Sequence, residues 1–431
     1  MGVAPLDAEL LLRSVFQAAL DAVNPEPRVR RALPSPPPGR TVVVGAGKAA
    51  AAMALGVENH WRGDLSGLVV TRYGHAAPTR RIEVVEAGHP MPDAMGQRVA
   101  LRILEQASGV GPDDLLLCLF SGGGSALLAL PAPGLTLEDT RVVTRKLLRS
   151  GATISEINCV RKHMSAIKGG RLAAASGGRV VSLVMSDVVG DDPSVIASGP
   201  TVGDPTTCAD ALGVLARYRI GASEAVFECL KRSEAETPKP GDPRLARSEI
   251  TIVASAQDAL EGAAAAARAN GVAALSLGGM IQGEAREVAR VHAGLVKQIL
   301  RYGQPIAPPC LVLSGGETTV TLKGSGQGGR NTEFLLALAE ALNGEPGVYA
   351  LAADTDGIDG SEDNAGALLY PDTLARATAR GLDPRVFLIE NDAYNFFAAL
   401  EDLVITGPTM TNVNDFRAIL IAPSFRYRHL K

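Results

Sequence analysis

The sequence has few of the features that mark several whole classes of protein. Its 431 residues include only five cysteines, widely spaced and without a Cys-x-x-Cys pair. An odd number at this spacing argues against a disulfide framework and a zinc knuckle, and it favours reduced thiols. Charged residues make up 20% of the chain and the net charge is −4. The sequence is therefore not strongly basic, and no nucleic-acid-binding surface is predicted.

The sequence also predicts no membrane span and no targeting signal. One uncharged stretch, residues 115–137, is long enough to test as a span, but residues 121–125 and two prolines interrupt it. The N-terminus lacks a basic segment followed by an apolar run, which argues against a signal peptide. Leu6 stands where a myristoylation signal requires Ser or Thr. We expect a soluble, cytoplasmic protein.

The first half of the chain alternates between strand-like and helix-like segments. With 46% hydrophobic residues the chain can bury a large core. An amphipathic helix is predicted over residues 6–23, followed by a proline-rich connector, residues 25–39. Short runs that are apolar on both faces then predict a mainly parallel sheet covered by helices. These runs are residues 41–44, 68–71, 82–86, 115–120 and 180–185.

The second half resumes the alternation after a polar, proline-bearing segment. That segment, residues 231–247, predicts a domain boundary near residue 240, and hence α/β domains 1–240 and 241–431. Residues 310–313 and 318–322 follow each other closely and predict an antiparallel pair, which makes the second sheet mixed. The other predicted elements are strands 250–254 and 273–277 and helices 261–269 and 284–302.

A glycine-rich motif follows the first predicted strand. Gly45 and Gly47 begin a permissive form of the dinucleotide fingerprint, which places a phosphate at a helix N-terminus. The acidic residue expected at the end of the second strand is missing, and Arg72 lies there instead. The spacing before Lys48 is too short for a Walker A loop. Lys48 is either a point cation for a phosphate or carboxylate, or a solvated lysine on a first helical turn.

A second glycine-rich motif, residues 121–125, follows a buried strand. Its three glycines allow close approach of a ligand to the backbone, and its two serines add hydroxyl donors. A tight strand-to-helix turn is the alternative. The stretch 313–318 is similar, and there too a Ser-Gly-Gly turn is predicted at the end of a strand.

Two acidic motifs could bind a metal ion. Asp187, Asp191 and Asp192 follow the strand 180–185, where carboxylates could hold Mg²⁺. Asp187 is preferred because it is nearest the strand end, and the other two could instead cap turns. Asp356 lies in an Asp-Gly-rich stretch, residues 354–360, that does not match a calcium-binding loop. The carboxylates of this stretch either bind a metal ion or substrate hydroxyls, or they belong to a solvated turn.

A third glycine-rich motif, residues 323–333, contains four glycines in six residues and then Arg330. It predicts an anion-binding nest with a guanidinium at its edge, ahead of a capped helix. His89 lies between glycine and proline and could line a cleft, although a single histidine is more often structural.

These motifs together resemble the class II glycerate kinases, whose C-terminal half is called the MOFRL domain. The resemblance implies transfer of the ATP γ-phosphoryl group to D-glycerate, usually at the 2-hydroxyl, giving 2-phosphoglycerate and ADP with a divalent metal. It also implies two Rossmann-like α/β domains with the active site in the cleft between them. The matching stretches are residues 44–49, 88–92, 121–125, 158–170, 186–192, 198–201, 313–317, 326–333, 354–360 and 411–415.

The residue chemistry and the resemblance lead to the same assignments. Lys48, Arg330 and Asp187 are the predicted catalytic residues, and Lys48 and Arg330 share the phosphoryl group and the glycerate carboxylate between them. The predicted cofactor-binding residues are Gly45, Gly47, Ser121, Gly122, Gly123, Gly124, Ser125, Gly326, Gly328 and Gly329. The predicted metal ligands are Asp187, Asp192 and Asp356.

The expected partners are small molecules: D-glycerate, ATP and Mg²⁺ or another divalent cation. No nucleic acid or membrane is expected, and a homodimer is a compatible assembly. The alternative function is an NAD(P)-dependent hydroxypyruvate reductase, a name that members of the family have also carried. Its motivation in the sequence is the fingerprint-like loop at Gly45 and the presence of Arg72, which could accept a 2′-phosphate.

Overall fold

The computed structural model describes residues 8–422, which divide into two compact units. The first unit is formed by residues 25–254, and the second by residues 8–24 together with residues 255–422. The predicted boundary near residue 240 falls inside the first unit, because strand β6 (Ser248–Ala254) pairs in parallel with β5 (Arg179–Met185). A polar, proline-bearing segment therefore marks a loop within a domain here.

The opening helix belongs to the second unit. Helix α1 (Ala8–Ala22) packs against α11 (Ala256–Ala269) and buries Leu12, Val15 and Phe16. The helix was predicted to begin at residue 6, and residues 6 and 7 lie outside the described part of the chain. The predicted domain 1–240 thus differs at both ends from the compact unit.

The first unit is built on a parallel sheet of six strands in the order β3-β2-β1-β4-β5-β6. Besides β5 and β6, its strands are β1 (Thr41–Ala46), β2 (Leu65–Arg72), β3 (Ile82–Ala87) and β4 (Leu115–Phe120). β1 and β4 are buried along their whole length, as predicted from their apolar runs. The strand order changes direction between β1 and β4. In doubly wound sheets, ligands bind beyond the carboxyl ends of the strands at this switch point.

Helices complete the first unit. The segment predicted as a proline-rich connector, residues 25–39, begins as helix α2 (Pro25–Ala32). Proline is compatible with the start of a helix, since the amide it lacks would have no intrahelical partner there. The remaining helices are α3 (Ala50–His60), α4 (Ala94–Ser108), α5 (Gly124–Leu127), α6 (Leu137–Arg149), α7 (Ile154–His163), α8 (Arg171–Ala174), α9 (Cys208–Arg217) and α10 (Glu224–Leu230).

The second unit contains a mixed sheet of seven strands, which confirms the predicted α/β class with one parallel and one mixed sheet. Its order is β12-β11-β10-β13-β9-β7, and β8 also pairs with β9. The strands are β7 (Ala273–Ser276), β8 (Ile281–Glu284), β9 (Cys310–Thr319), β10 (Val348–Asp354), β11 (Gly366–Leu369), β12 (Leu403–Val404) and β13 (Asp415–Ile421).

The predicted antiparallel pair of residues 310–313 and 318–322 is wrong. Both segments enter one strand, β9, so Ser314 and Gly315 lie within the sheet and not in a turn. β13 pairs antiparallel with β9 from Cys310 to Gly316, and β7 and β8 pair in parallel with its two ends on the other side. Pairing on both sides keeps the strand continuous through its two glycines.

The helices of the second unit pack around α13 (Arg330–Leu342), which is buried from Asn331 to Ala339. Its neighbours include α12 (Ala285–Tyr302), α15 (Pro384–Ile389), α16 (Ala393–Leu400) and α14 (Thr373–Ala379). All five cysteines are buried and form no disulfide. Among residues 8–422, no helix combines the length and the hydropathy that a membrane span requires.

Two glycines offer a test of the packing. A Cβ on Gly366, in β11, would overlap the carbonyl oxygen of Ala352, whereas a Cβ on Gly294, in α12, would meet open space. We expect Gly366→Ala to lower the free energy of unfolding by about 1–3 kcal/mol, and Gly294→Ala to raise it by about 0.5–1 kcal/mol. Urea denaturation followed by circular dichroism measures both. Equal effects of the two substitutions would contradict the strand register.

Candidate active site

Two of the predicted motifs interlock at the switch point of the parallel sheet. The Lys48 amide donates to the carbonyl of Gly122 at 2.8 Å, and the Ser121 amide donates to the carbonyl of Ala46 at 3.1 Å. The buried Ser121 hydroxyl accepts the Ala49 amide at 2.9 Å. The loop after β1 and the loop after β4 therefore form one hydrogen-bonded structure, although about 70 residues separate them in sequence.

Gly45 and Gly47 serve this close approach. A Cβ on Gly45 would overlap the carbonyl oxygen of Leu119, and a Cβ on Gly47 would overlap the Ser121 hydroxyl. The Gly47 amide donates to Val70 at 3.1 Å, and those of the next two residues also donate within the chain. Contacts within the protein thus account for Gly45, Gly47 and Ser121, and they leave no loop amide for the cofactor contact that was predicted there.

The amides of Gly122 and Gly123 are different, because neither donates a hydrogen bond to any residue between 8 and 422. Gly123 has a φ of 81°, a conformation that favours glycine. A Cβ there would lie 2.8 Å from His89 Nε2 and 3.5 Å from Lys48 Cγ. The two amides, the lysine stem and the imidazole thus lie together, which is a suitable arrangement for a phosphate or carboxylate.

The end of this loop rests on a strained segment. Ala197 and Ser198 both have positive φ values, 51° and 59°, a conformation that costs about 1–3 kcal/mol at each non-glycine residue. The Ser198 hydroxyl lies 2.8 Å from the Ser125 hydroxyl and donates to Asn158 Oδ1 at 3.2 Å. A Cβ on Gly124 would lie 2.7 Å from the Ala197 Cβ, so this glycine allows the close contact.

Asp187 and Asp192 follow β5, but their environments differ. Asp187 is half-buried at the same sheet edge as the two loops, two residues beyond the strand. Asp192 is exposed, and its carboxylate accepts the Ser194 amide at 2.8 Å, as in a turn cap. Asp187 as a metal ligand therefore stays a prediction, while Asp192 has a local structural role in its turn.

The predicted metal ligands are divided between the two units: Asp187 and Asp192 lie in the first, and Asp356 lies in the second. Within the described range, one group of three His, Cys, Asp or Glu side chains has ligand atoms within 4.8 Å of one another: His163, Cys208 and Glu236. It includes none of Asp187, Asp192 and Asp356. Asp356 is buried, and its carboxylate accepts the Ile358 amide at 2.8 Å. The predicted role of Asp356 as a metal ligand therefore stays a prediction.

In the second unit, Arg330 begins α13 and is surrounded by carboxylates. Its Nε lies 2.6 Å from Asp415, one Nη 2.8 Å from Asp354, and the other Nη 3.3 Å from Glu317. The side chain is 22% exposed. Burial acts to lower the Arg330 pKa, but the surrounding carboxylates outweigh it and raise the pKa well above its ordinary value. The guanidinium charge is thus shared among three acids.

Asp415 links this group to the core. Its carboxylate accepts hydrogen bonds from the Thr318 amide and hydroxyl, both at 3.0 Å, and pairs with the fully buried Arg417. Burial raises the pKa of Asp415, but the two arginines prevail and hold the pKa below its ordinary value. Arg330 and Arg417 therefore share one buried carboxylate, which the sequence motifs did not reveal.

In the glycine-rich loop before Arg330, most of the amides that the predicted anion nest would offer already donate within the chain. The Gly326 amide donates to Glu390 O at 2.8 Å, and the Gly329 amide donates to Thr332 Oγ1 at 3.0 Å. A Cβ on Gly329 would overlap Asp359. Gly328 has its φ at 158° and packs against the start of α16. Gly326, Gly328 and Gly329 are thus explained by packing within the chain, because loop and neighbouring segments approach closely.

Asp359 is the residue that caps α13. Its two carboxylate oxygens accept the Asn331 amide at 2.9 Å, the Thr332 amide at 2.8 Å and the Thr332 hydroxyl at 2.8 Å. Burial raises the pKa of Asp359 despite these hydrogen bonds. Sequence reasoning noticed the Asp-Gly-rich stretch but missed this role. The signal that could have indicated this role was the Asn-Thr start of the helix, whose amides need an acidic partner elsewhere in the chain.

Comparison with known proteins finds similar proteins over most of the chain. The domain of unknown function DUF4147 matches residues 11–231, and the MOFRL family matches residues 310–415. A protein of Agrobacterium vitis, provisionally described as a hydroxypyruvate reductase, is 54% identical over 96% of this chain and 95% of its own. The D-glycerate 2-kinase of Thermotoga maritima is 41% identical over 95% of this chain and 98% of its own.

A solved structure agrees with these similarities. The crystal structure of the glycerate kinase from Thermotoga maritima superimposes with a TM-score of 0.87 at 39% identity. The match covers 97% of this chain and all of the other.

The carboxylates around Arg330 predict that this residue supports stability. We expect Arg330→Ala to lower the free energy of unfolding by about 3–5 kcal/mol, because Asp354 and Asp415 lose a partner in a buried setting. Arg290, exposed and paired only with Glu287 on its own helix, is the matched control, and Arg290→Ala should change the value by less than about 0.5 kcal/mol. Urea denaturation of both variants is the measurement. An unchanged urea midpoint for Arg330→Ala would show that solvent replaces the arginine as the partner of these carboxylates, and it would contradict the prediction.

Proposed function

The chain is a member of the MOFRL family of glycerate kinases, and from this premise we propose that it transfers the γ-phosphoryl group of ATP to the 2-hydroxyl of D-glycerate, with a divalent cation. The structural observation that carries the proposal is the convergence of Lys48 with the uncommitted amides of Gly122 and Gly123. The substrate and the hydroxyl are those in the name of the Thermotoga maritima D-glycerate 2-kinase. The products would be 2-phosphoglycerate and ADP.

Phosphoryl transfer mainly requires positioning and neutralisation of charge. Lys48 supplies a full positive charge, and the Gly122 and Gly123 amides supply two fixed dipoles at the switch point of the sheet. These donors are already oriented by the hydrogen bonds between the two loops. Preorganised donors of this kind stabilise the transition state because they need not reorient as charge develops.

The divalent cation would be held by Asp187. Mg²⁺ usually keeps several waters and binds through one or two carboxylates together with substrate phosphates, so a single half-buried carboxylate at this sheet edge fits its chemistry. The cation would neutralise phosphate charge. Neither Asp192 nor Asp356 has a comparable position, since one caps an exposed turn and the other is buried.

Arg330 has a supporting role in this proposal. Its guanidinium is partly exposed at the start of α13, but three carboxylates already share its charge. These carboxylates weaken the attraction of this arginine for an anion. We assign it the task of fixing the acidic residues around the N-terminus of α13, and we assign phosphate binding mainly to Lys48, because its stem lies beside Gly123.

A second candidate is the NAD(P)-dependent reduction of hydroxypyruvate, favoured by the description of the Agrobacterium vitis relative. The fingerprint-like loop argues against it. A pyrophosphate would need the loop amides near Gly47, but the amides of residues 47 to 50 donate to other atoms of the chain. The Ser121 hydroxyl also fills the space beside Gly47 that the pyrophosphate would approach.

A paired assay separates the two functions. The purified protein is given ATP, Mg²⁺ and D-glycerate in one cell, and NADH or NADPH with hydroxypyruvate in the other. We expect glycerate-dependent release of ADP and no oxidation of the nicotinamide. Identification of the product by NMR then decides the phosphorylated hydroxyl. Nicotinamide oxidation without ADP release would overturn the proposal.

Lys48 provides a second test. We expect Lys48→Ala to lower kcat by about 10²–10³-fold, because a preorganised charge is removed from the transition state, while the melting temperature stays within a few degrees. Lys231, an exposed lysine paired with Glu228, is the control, and Lys231→Ala should retain full activity. Full activity in Lys48→Ala would remove this residue from the mechanism.

A further inference from the structure

The first unit contains a cavity that the motifs above do not explain. Its volume is about 360 Å³. One side is lined by His89, Gly123 and Ser125, so it adjoins the loop that lies against Lys48. The other side is lined by Arg161, at the end of α7, and by Lys168, which follows that helix. Apolar side chains form most of the remaining wall, among them Met91, Leu130, Val160 and Met164.

Arg161 and Lys168 have no acidic partner. No Asp or Glu between residues 8 and 422 lies within ion-pairing distance of either side chain, and Lys168 donates to the backbone carbonyl of Leu128 instead. Lys168 is only 5% exposed. Buried Lys162, by contrast, lies 3.4 Å from Asp204, and buried Arg417 pairs with Asp415. Two desolvated cations without an acidic partner thus face the same cavity.

This arrangement has a free-energy cost that an anion would offset. Burial lowers the Lys168 pKa to about 7, and the nearby charge of Arg161 contributes to the shift. Burial also lowers the pKa of Arg161. Charged groups are costly to remove from water unless they are paired. A bound anion would supply the missing partner for both side chains.

The size and lining of the cavity favour a carboxylate over a polyphosphate. The wall is mostly apolar, whereas a triphosphate carries several charges that require water or metal ions. Arg141 and Arg145 also line the cavity, but Arg141 lies 3.6 Å from Glu138 and Arg145 is exposed to solvent. A guanidinium matches a carboxylate with two parallel hydrogen bonds, and an ammonium can add a third. A three-carbon hydroxy acid fits comfortably within the available volume.

We propose that Arg161 and Lys168 bind the carboxylate of the acceptor acid in this cavity, which leaves its hydroxyl-bearing carbons on the side of His89 and Gly123. This inference rests on the proposed function for the identity of the acid. It assigns the carboxylate to a pair of residues in the first unit, instead of to Lys48 or Arg330. Lys48 and the amides of Gly122 and Gly123 are then assigned to the phosphoryl group.

Binding to the full-length protein tests the proposal without turnover. Isothermal titration with D-glycerate, alone and with a non-hydrolysable ATP analogue, should give a Kd that Arg161→Gln weakens by about 10–100-fold, since a hydrogen bond to a charged group is lost. The analogue itself should bind this variant within twofold of the wild type. Glycerol, which has a hydroxymethyl group in place of the carboxylate, should not bind. Arg149→Gln is the control, because Arg149 is an exposed arginine of α6 outside the cavity lining.

A pH series adds a readout that a merely structural role would not change. Because Lys168 has a pKa of about 7, it loses its proton as pH rises from 6 to 8, and affinity for D-glycerate should fall over that range. Lys168→Arg should reduce this dependence, since arginine stays protonated. His89, Arg141 and Arg145 also line the cavity. Histidine can lose its charge between pH 6 and 8, whereas arginine stays protonated. The pH series is therefore repeated with His89→Gln, which removes any contribution of the histidine.

The outcomes distinguish this inference from the proposed function. If Arg161→Gln leaves the D-glycerate Kd unchanged, or weakens the ATP analogue instead, the carboxylate assignment is wrong even though glycerate-dependent ADP release persists. If the wild type binds D-glycerate through Arg161 but releases no ADP, the kinase proposal fails and the carboxylate site stands. Absence of D-glycerate binding with and without the analogue overturns the inference.

Discussion

The hydrogen bonds between the loop after β1 and the loop after β4 fix the candidate active site. They join Lys48 to Gly122 and Ala49 to Ser121, at the switch point between β1 and β4 where the strand order of the parallel sheet reverses. Because the amides around Lys48 are used in this contact, the loop after β1 presents a lysine side chain and not a row of amides. The amides of Gly122 and Gly123 are left for a ligand. The same contact explains why two adjacent glycine-rich loops have different tasks.

Several glycines of the candidate loops are explained by close packing within the chain and not by contact with a ligand. Gly45, Gly47 and Gly329 each face a space that backbone or a side chain already fills. A glycine-rich sequence is compatible with anion binding and with close packing, and the two cannot be told apart without the third dimension. In the loop before α13, close packing holds the helix start against Asp359. The loop therefore positions Arg330 through the helix it begins.

The distribution of charge partners separates two kinds of buried cation. Arg330 and Arg417 share Asp415, and these ion pairs hold the acidic residues around α13 in place. Arg161 and Lys168 face a cavity without such partners. A cation that is already paired contributes to stability and attracts an anion weakly, while a desolvated and unpaired cation favours an anionic ligand. The first unit therefore contains the stronger candidates for binding substrate.

The sequence by itself determined the class of fold and the places where chemistry could occur. Hydrophobic runs and helical periodicity are local properties, so β1 to β5, α11 and α12 lie close to their predicted positions. The tertiary structure decided how distant segments meet. It joined β6 to the first sheet, made β9 one strand, and moved α1 to the second unit.

The same limit applies to the site. Lys48 and Asp187 follow strands and could be proposed from their spacing. The contacts of Asp359, Asp415 and Lys168 involve partners far away in sequence. A hydrogen bond, an ion pair or the absence of one is a property of two groups in space. One-dimensional spacing names the candidates, and only the folded chain shows which of their donors and charges are already in use.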